Sequence, residues 1–189
     1  MFPGTAAPRP PARGRHWAGG QTLARPGGPP IVRLPEDEAR RRFASARVAR
    51  LATADEDGRP HIVPFTFAFS ARAGQGGSGR GGDGESGSPD RIYSAVDAKP
   101  KSSADLRRLR NIRANPRVAV LADHYEDDWG RLWWVRADGQ AAILDHPEAM
   151  APALALLAGR YPQYRAQPPG GPVISIRVDR WTGWAARLS

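Results

Sequence analysis

The chain of 189 residues contains no cysteine. That absence excludes disulfides, thiolate nucleophiles, zinc–thiolate sites and iron–sulfur clusters. No apolar run approaches the roughly 20 residues that a membrane-spanning helix needs, so we predict no membrane partner. The first residues also lack the apolar segment of a secretory signal. Together these absences lead us to expect one folded domain in the cytoplasm.

Lysine is nearly absent as well, and this changes what the positive net charge indicates about binding partners. The formal net charge is +9, yet only two of the 28 basic residues, Lys99 and Lys101, are lysines. An excess of arginine in a chain with 21 glycines and 19 prolines is typical of a GC-rich genome. Part of the excess also precedes the first acidic residue, Glu36. We therefore predict no nucleic-acid partner and a folded body that suits an anionic small molecule.

Two segments have a composition that argues against a packed core. Residues 1–34 are rich in proline, glycine and arginine without apolar periodicity, and we predict that they form a disordered extension. Residues 73–90 are glycine-rich and lie between two strand-like segments. We predict that they form an enlarged hairpin loop rather than a dinucleotide-binding turn. The folded domain is expected to span residues 35–189 around this insert.

The remaining sequence predicts a mainly β protein of the α+β class. Short strand-like segments joined by tight turns are interspersed with a few small helices, and regular βαβ alternation is missing. We therefore predict a small antiparallel β-barrel with peripheral helices. Because such a barrel fills its own interior with side chains, a large ligand must occupy a groove outside it. A second subunit often completes such a groove.

A cationic cluster is the first candidate for a binding site. The two lysines end a predicted strand, and a short arginine-rich helix follows them. Lys99, Lys101, Arg107 and Arg108 together predict a site for a phosphate or carboxylate group, with helix N–H groups as further donors. Asn111 is a candidate polar contact in the same helix. The alternatives are a solvated basic face for the cluster and an ordinary surface position for Asn111.

A second candidate lies on the predicted strand from His61 to Phe65. Pro64 has no N–H to donate to a ladder, so we predict an edge or bulged strand whose free backbone groups meet the polar atoms of a ring. His61 belongs to this candidate site, and the alternative for it is a capping or surface position beside the preceding turn. The predicted neighbouring strand carries three small residues that let a ring approach closely: Ser94, Ala95 and Val96.

The acidic segment 123–129 is the third feature. One histidine among solvated acids falls short of a metal-ligand set, so we predict no metal. The sequence also lacks a recognisable nucleophile–base pair. This favours a redox enzyme in which a cofactor performs the chemistry and the protein binds and orients it. No catalytic residue is assigned, and Tyr125 and His61 are the candidates for a proton donor.

Several segments between about residues 36 and 187 carry a family resemblance through their order and spacing. They are residues 46–53 with 57–61, 93–101, 106–112 with 115–121, 123–129 with 132–136, and 161–164 with 168–169 and 171–174. This pattern resembles the F420-dependent branch of the pyridoxamine 5′-phosphate oxidase-like (PPOX class) flavoproteins.

The resemblance implies a split β-barrel fold and hydride transfer between coenzyme F420 and an unknown organic acceptor. It implies that the strand end and the basic helix hold the cofactor phosphate, and that Trp129 or Tyr125 borders the active cleft. It further suggests a homodimer with the cofactor groove at the subunit interface. Two alternatives stay open: an FMN-dependent oxidase or reductase on the same fold, and a non-catalytic carrier that binds F420.

Overall fold

The computed structural model describes residues 32–72, 89–96 and 106–187. Lys99 and Lys101, most of the predicted N-terminal extension and most of the glycine-rich insert lie outside these ranges. Within them, no helix is long and apolar enough to cross a membrane.

Strands and short helices alternate along the described parts of the chain. The strands are β1 (Val32–Arg33), β2 (Ala49–Ala54), β3 (Pro60–Phe65), β4 (Ala68–Ser70), β5 (Arg91–Ala95), β6 (Arg117–His124), β7 (Trp133–Leu144) and β8 (Val173–Ala185). The helices are α1 (Glu36–Ser45), α2 (Arg107–Ala114), α3 (Pro147–Arg160) and α4 (Gln163–Ala166). A 3₁₀ turn spans Trp129–Arg131.

The strands form one antiparallel sheet in the order β3-β2-β6-β7-β8-β5-β4, and β1 also pairs with β8. The two longest strands, β7 and β8, join the halves of the sheet and cross a bulge between Asp138 and Gly139. Such a bulge increases local twist and helps a sheet to curl around its core. The predicted class, a mainly β antiparallel barrel with small helices, is confirmed.

Aromatic side chains fill the centre of the core. Phe43 of α1 packs against Phe67 and Trp181, with ring centroids 4.7 Å and 5.1 Å apart. The helix begins directly after Pro35, and its first turn carries three acids. Proline suits the start of a helix and acids favour its positive end, so local chemistry explains why the helix begins there. Its buried face, which includes Phe43, then holds it on the sheet.

A smaller apolar cluster joins α3 and α4 to β4, β5 and the paired ends of β7 and β8. Its polar centre is Tyr161, whose side chain is 8% exposed. The Tyr161 hydroxyl accepts a hydrogen bond from the Phe67 backbone N–H at 3.1 Å and lies 2.9 Å from the Arg47 carbonyl oxygen. One hydroxyl therefore satisfies backbone groups of two segments that precede it by almost a hundred residues or more.

The hairpin of β2 and β3 forms one end of the sheet. Its turn contains Gly58 at a φ of +80°, in the left-handed region that glycine enters without strain. The Asp55 carboxylate accepts a hydrogen bond from the Arg59 N–H at 2.8 Å and closes the turn. Because β3 pairs only with β2 among the strands that the structure describes, it is an edge strand of this sheet. This confirms the prediction from Pro64.

The folded part begins earlier than residue 35. Val32 and Arg33 pair with β8, Leu34 is 6% exposed, and its N–H donates to the Gly183 carbonyl oxygen at 3.0 Å. The predicted boundary after residue 34 is therefore wrong. A β-bridge and one buried leucine override a local composition that by itself favours disorder.

The predicted end of the glycine-rich insert at Asp90 is also wrong, because Asp90 is a core residue with 3% exposure. Its carboxylate accepts hydrogen bonds from Arg40 Nε at 2.6 Å, Trp181 Nε1 at 2.8 Å and the Arg72 N–H at 2.7 Å. Burial acts to raise the pKa of Asp90, but these hydrogen bonds and the Arg40 charge outweigh it and lower that pKa. The carboxylate thus joins both ends of the insert to α1 and β8.

Candidate functional site

The basic helix α2 is the part of the predicted phosphate site that the structure describes. Its eight residues include four arginines and no acid. Among the described residues, no side chain caps its start, and backbone N–H groups at a helix start are donors that suit an anionic ligand. Arg107 lies at the start of the helix, where its Nη2 is 3.6 Å from Asp55 Oδ2. Lys99 and Lys101, which precede this helix in the sequence, lie outside the residues that the structure describes.

Arg108 is half-buried on the same helix and has interactions of its own. Asn111 lies one turn further and is only 3% exposed. Its Nδ2 donates a hydrogen bond to Thr53 Oγ1 at 3.0 Å. The alternative of a surface position for Asn111 is therefore wrong, because its amide holds α2 against β2. A direct contact between this amide and a ligand stays a prediction.

His61 stands beside this contact, opposite Thr53 in the ladder of β2 and β3. The Thr53 hydroxyl lies 3.4 Å from the His61 carbonyl oxygen. The ring atom Nδ1 of His61 is buried and has no hydrogen-bond partner among the residues that the structure describes. A buried polar atom without a partner is unfavourable until something binds it. The structure therefore brings Arg107, Asn111 and His61 to one corner of the barrel.

The edge strand β3 continues away from this corner. Pro64 is exposed, whereas Phe65 is half-buried and packs against the core. Ile62 lies between His61 and Pro64 and is 61% exposed. An apolar side chain on an open edge provides the kind of wall that a ring requires. Sequence analysis did not assign a role to Ile62, because alternation predicts its face but not whether another element covers it.

Ser94, Ala95 and Val96 do not lie beside β3. Ser94 and Ala95 end the strand β5, which is paired with β4 and β8, and Val96 follows it, so the predicted pairing with β3 is wrong. All three residues are buried, with exposures of 6%, 8% and 2%. Val96 is further held by backbone hydrogen bonds to Pro172 and Gly171. Any contribution of these residues to a cofactor site stays a prediction.

Trp129 is 73% exposed in the 3₁₀ turn between β6 and β7. It lies beyond the far end of β6, whereas the corner at His61 is level with the start of that strand. Ala52 pairs with Ala119, and the strand extends about 17 Å from there to its end at His124, at 3.3 Å per residue. The loop of Trp129 and the corner of His61 and Arg107 therefore belong to opposite ends of β6.

The acidic loop before Trp129 is organised by ion pairs. Glu126 lies 2.9 Å from His124 Nε2 and 3.0 Å from Arg131 Nε, and the ring of His124 stacks on Trp133. Tyr125 is 65% exposed. In the described ranges, no group of three or more histidine and acidic residues is arranged to hold a metal ion.

The structure also reveals a groove that sequence analysis missed. It lies on the outer face of β2, β6 and β7, and its lining includes Ala52, Ala54 and Ala119. The sequence indicates this groove only through small side chains: alanine occupies alternate positions of β2, and Ala119 lies on β6. Small side chains on one face of a sheet leave space above that face. That signal becomes interpretable only when the pairing of β2 with β6 is known.

An antiparallel sheet curled around an apolar core, with an open edge strand beside a basic helix, defines the class of split-barrel cofactor-binding proteins. Residues 35–185 match the family described as pyridoxamine 5′-phosphate oxidase, and the chain belongs to this family. It therefore has the split-barrel fold of flavin-binding oxidoreductases. None of the curated proteins is significantly similar to the chain.

Three solved structures are similar to the chain. A conserved hypothetical protein from Mycobacterium tuberculosis is 25% identical, with 83% of this chain and 88% of that chain covered and a TM-score of 0.58. A FAD-binding protein from Mesorhizobium loti is 21% identical, with coverages of 83% and 99% and a TM-score of 0.57. The haem storage protein HutZ from Vibrio cholerae is 14% identical, with coverages of 77% and 90% and a TM-score of 0.51. The last two similarities show a common fold.

Proposed function

We propose that the protein is an F420-dependent oxidoreductase that transfers a hydride between coenzyme F420 and a small organic acceptor. The observation that carries the proposal is the basic corner formed by α2 beside the edge strand β3. Four arginines and no acid in eight residues, at a helix start that no described side chain caps, suit a ligand with several negative charges.

The number of charges favours F420 over FMN. FMN carries one phosphate, whereas F420 carries a phosphodiester and a tail of glutamates. Arg107, at the start of α2, suits the phosphodiester, because its ion pair with Asp55 is long and half-exposed and is lost at little cost. Arg110 and Arg113 are exposed further along the helix and suit the tail carboxylates. Lys99 and Lys101 add two cations next to this helix in the sequence.

The edge strand β3 suits the ring of the cofactor. Ile62 offers an exposed apolar contact, and Pro64 leaves the backbone edge without an N–H at that point. His61 extends from the opposite face of the same strand edge, and its Nδ1 is a buried polar atom without a partner among the described residues. These features fit a flat ring with polar atoms along one side.

When bound, the deazaflavin supplies a pair of electrons as a hydride. The residues of the chain bind the anionic part, orient the ring and exclude water from it. His61 and Tyr125 stay the candidates for a proton donor. Of the two, His61 lies at the basic corner, and Tyr125 lies on the distant loop.

We also propose that the active form is a homodimer. Trp129 and the basic corner belong to opposite ends of β6, with about 17 Å of strand between them, which separates these predicted site residues within one subunit. A second copy of the chain brings an exposed Trp129 loop to the edge strand of the first. Chromatography with light scattering tests this point, and a monomer that binds F420 with full affinity would contradict it.

Titration of the purified protein with F420 and FMN, followed by calorimetry, tests the choice of cofactor. We expect F420 to bind at least about tenfold more tightly, because several charge-assisted contacts add to those of one phosphate. Affinity is also expected to rise with the number of glutamates in the tail. Binding of FMN at least tenfold more tightly than F420 would overturn the proposal.

The double variant Lys99→Ala/Lys101→Ala tests the phosphate site. Two lost charge-assisted contacts are expected to weaken F420 binding by about 2–4 kcal/mol. Arg41→Gln is the matched control, because Arg41 is 70% exposed on α1 and pairs with Glu38 rather than with a ligand. Equal affinities of the double variant and the wild type would show that the phosphate lies elsewhere.

Turnover distinguishes an enzyme from a carrier. Reduced F420 is mixed with the protein and a panel of enones, quinones and tetrapyrrole-derived acceptors, and its oxidation is followed by absorbance. Oxidation that depends on both protein and acceptor supports the enzyme. Tight binding without turnover for the whole panel would favour the non-catalytic carrier.

A further inference from the structure

The groove on the outer face of the sheet has the size and the floor of a ligand site. Its volume is about 510 Å³, within the range of roughly 300–1,000 Å³ that is usual for small-molecule sites. Ala52 and Ala54 on β2 and Ala119 on β6 form an apolar floor, because residues two positions apart on a strand share a face. Larger strand residues at these positions would fill the space.

The lining of the groove includes a positively charged side chain, Arg117. Arg117 is exposed at the start of β6, and its guanidinium makes no hydrogen bond or ion pair with any residue in the described ranges. The arginines on the neighbouring strands are paired: Arg136 and Arg180 with Asp138, and Arg177 with Asp179. The described part of the protein thus supplies an anion for each of these arginines but not for Arg117.

We propose that this groove binds a small organic carboxylate. A guanidinium donates two parallel N–H groups, which match the two oxygens of a carboxylate. The alanine floor accepts a short hydrocarbon chain, and the Gln140 amide beside it can donate to a polar substituent. Asp138 on the neighbouring strand β7 and Asp179 on β8 also line the groove, and their carboxylates, although paired with arginines, can accept a further hydrogen bond from a hydroxyl or amino group.

This site is separate from the basic corner at α2. On β3, Pro60 lines the groove, and Ile62 and Pro64 share its side of the strand, whereas His61 lies on the side of Thr53 and α2. The proposal therefore does not rest on the identity of the cofactor. A failure of F420 binding would leave it intact, and a failure of carboxylate binding would leave the proposed oxidoreductase intact.

Nuclear magnetic resonance with the ¹⁵N-labelled full-length protein locates the site. Hexanoate is the probe, and hexanamide is the neutral control with the same hydrocarbon chain. We expect hexanoate to shift the amide signals of Ala52, Ala119 and Gln140 in a saturable way, and hexanamide to bind at least about tenfold more weakly. Absence of saturable shifts at these residues would overturn the proposal, as would equal binding of the two probes.

Two variants test the residues. Arg117→Gln is expected to weaken hexanoate binding about tenfold or more while F420 affinity stays unchanged. Arg41→Gln is the matched control, since Arg41 is an exposed arginine on α1 that pairs with Glu38 and does not line the groove. Ala119→Leu fills the floor and is expected to abolish binding. If Ala119→Leu fails to fold, the proposal is tested by Arg117→Gln and its control alone. Equal hexanoate affinities of these two variants would refute it.

Discussion

Replacing Asp90 with asparagine tests the contact that closes the glycine-rich insert. The wild-type carboxylate accepts three hydrogen bonds, from Arg40, Trp181 and the Arg72 backbone, at 2.6–2.8 Å. Asparagine has nearly the same shape, but only its one carbonyl oxygen accepts hydrogen bonds, whereas its amide nitrogen donates them. The variant therefore loses the charge and at least one acceptor without creating a cavity.

The expected loss of stability follows from the type of contact. Hydrogen bonds to a charged group contribute about 1.5–3 kcal/mol each, and breaking a buried ion pair costs about 3–5 kcal/mol. Arg40 keeps partial compensation from Glu36 and Asp37, and 22% of its side chain is exposed. We therefore expect Asp90→Asn to lower the free energy of unfolding by about 3 kcal/mol at pH 7, at the low end of the range.

The contribution of Asp90 to the free energy of unfolding depends on pH with a definite sign. The pKa of Asp90 is lowered in the folded protein, whereas in the unfolded chain it is close to 3.9. Its stabilising contribution is therefore complete above about pH 4 and is lost as the pH falls through the lower folded value. The difference between the wild type and Asp90→Asn is expected to be constant from pH 7 to pH 5 and to shrink at more acidic pH.

Urea unfolding of both proteins across this pH range measures the difference directly. Asp145→Asn is the control, because Asp145 is 70% exposed and its nearest cationic partner, His146, is 3.6 Å away. The control is expected to stay within about 0.5 kcal/mol of the wild type. A loss below about 1 kcal/mol for Asp90→Asn at pH 7, or a difference that grows at acidic pH, would refute the reasoning.

Two further substitutions test the packing of the barrel. Tyr161→Phe removes the hydroxyl that serves the Phe67 N–H and is expected to cost about 1–2 kcal/mol in urea unfolding, because a buried donor loses its partner; an unchanged midpoint would contradict this role. Gly139→Ala places a Cβ against the Arg177 carbonyl oxygen at the bulge of β7 and β8 and is expected to cost about 1–3 kcal/mol or more. Gly159→Ala is its control because the space around Gly159 is open, and equal melting temperatures of the two variants would argue against close approach at the bulge.

Several features of the fold were predictable because they depend on neighbouring residues. Proline followed by acids marked the start of α1, and the turn at Gly58 needed a residue that tolerates positive φ. Pro64 indicated an edge strand, since its missing N–H excludes a central position in a sheet. The segments of the family resemblance also predicted the fold class, which the family match confirms.

Other features required contacts between distant residues. The position of β5 between β4 and β8 separates Ser94 from the strand His61 belongs to, and nothing in either segment encodes that pairing. Asn111 resembles a surface helix residue until its contact with Thr53, 58 positions earlier, is known. Asp90 resembles the end of a loop until Arg40 is placed beside it.

The amino-acid sequence by itself determined where helices and turns begin, which strand has an open edge, and that a basic helix follows two lysines. Those properties follow from the backbone limits and charges of adjacent residues. The tertiary structure alone decided which predicted site residues meet, which are buried, and where the alanine-lined groove opens. These outcomes depend on burial and strand pairing over long sequence separations, where many local patterns are compatible with more than one partner.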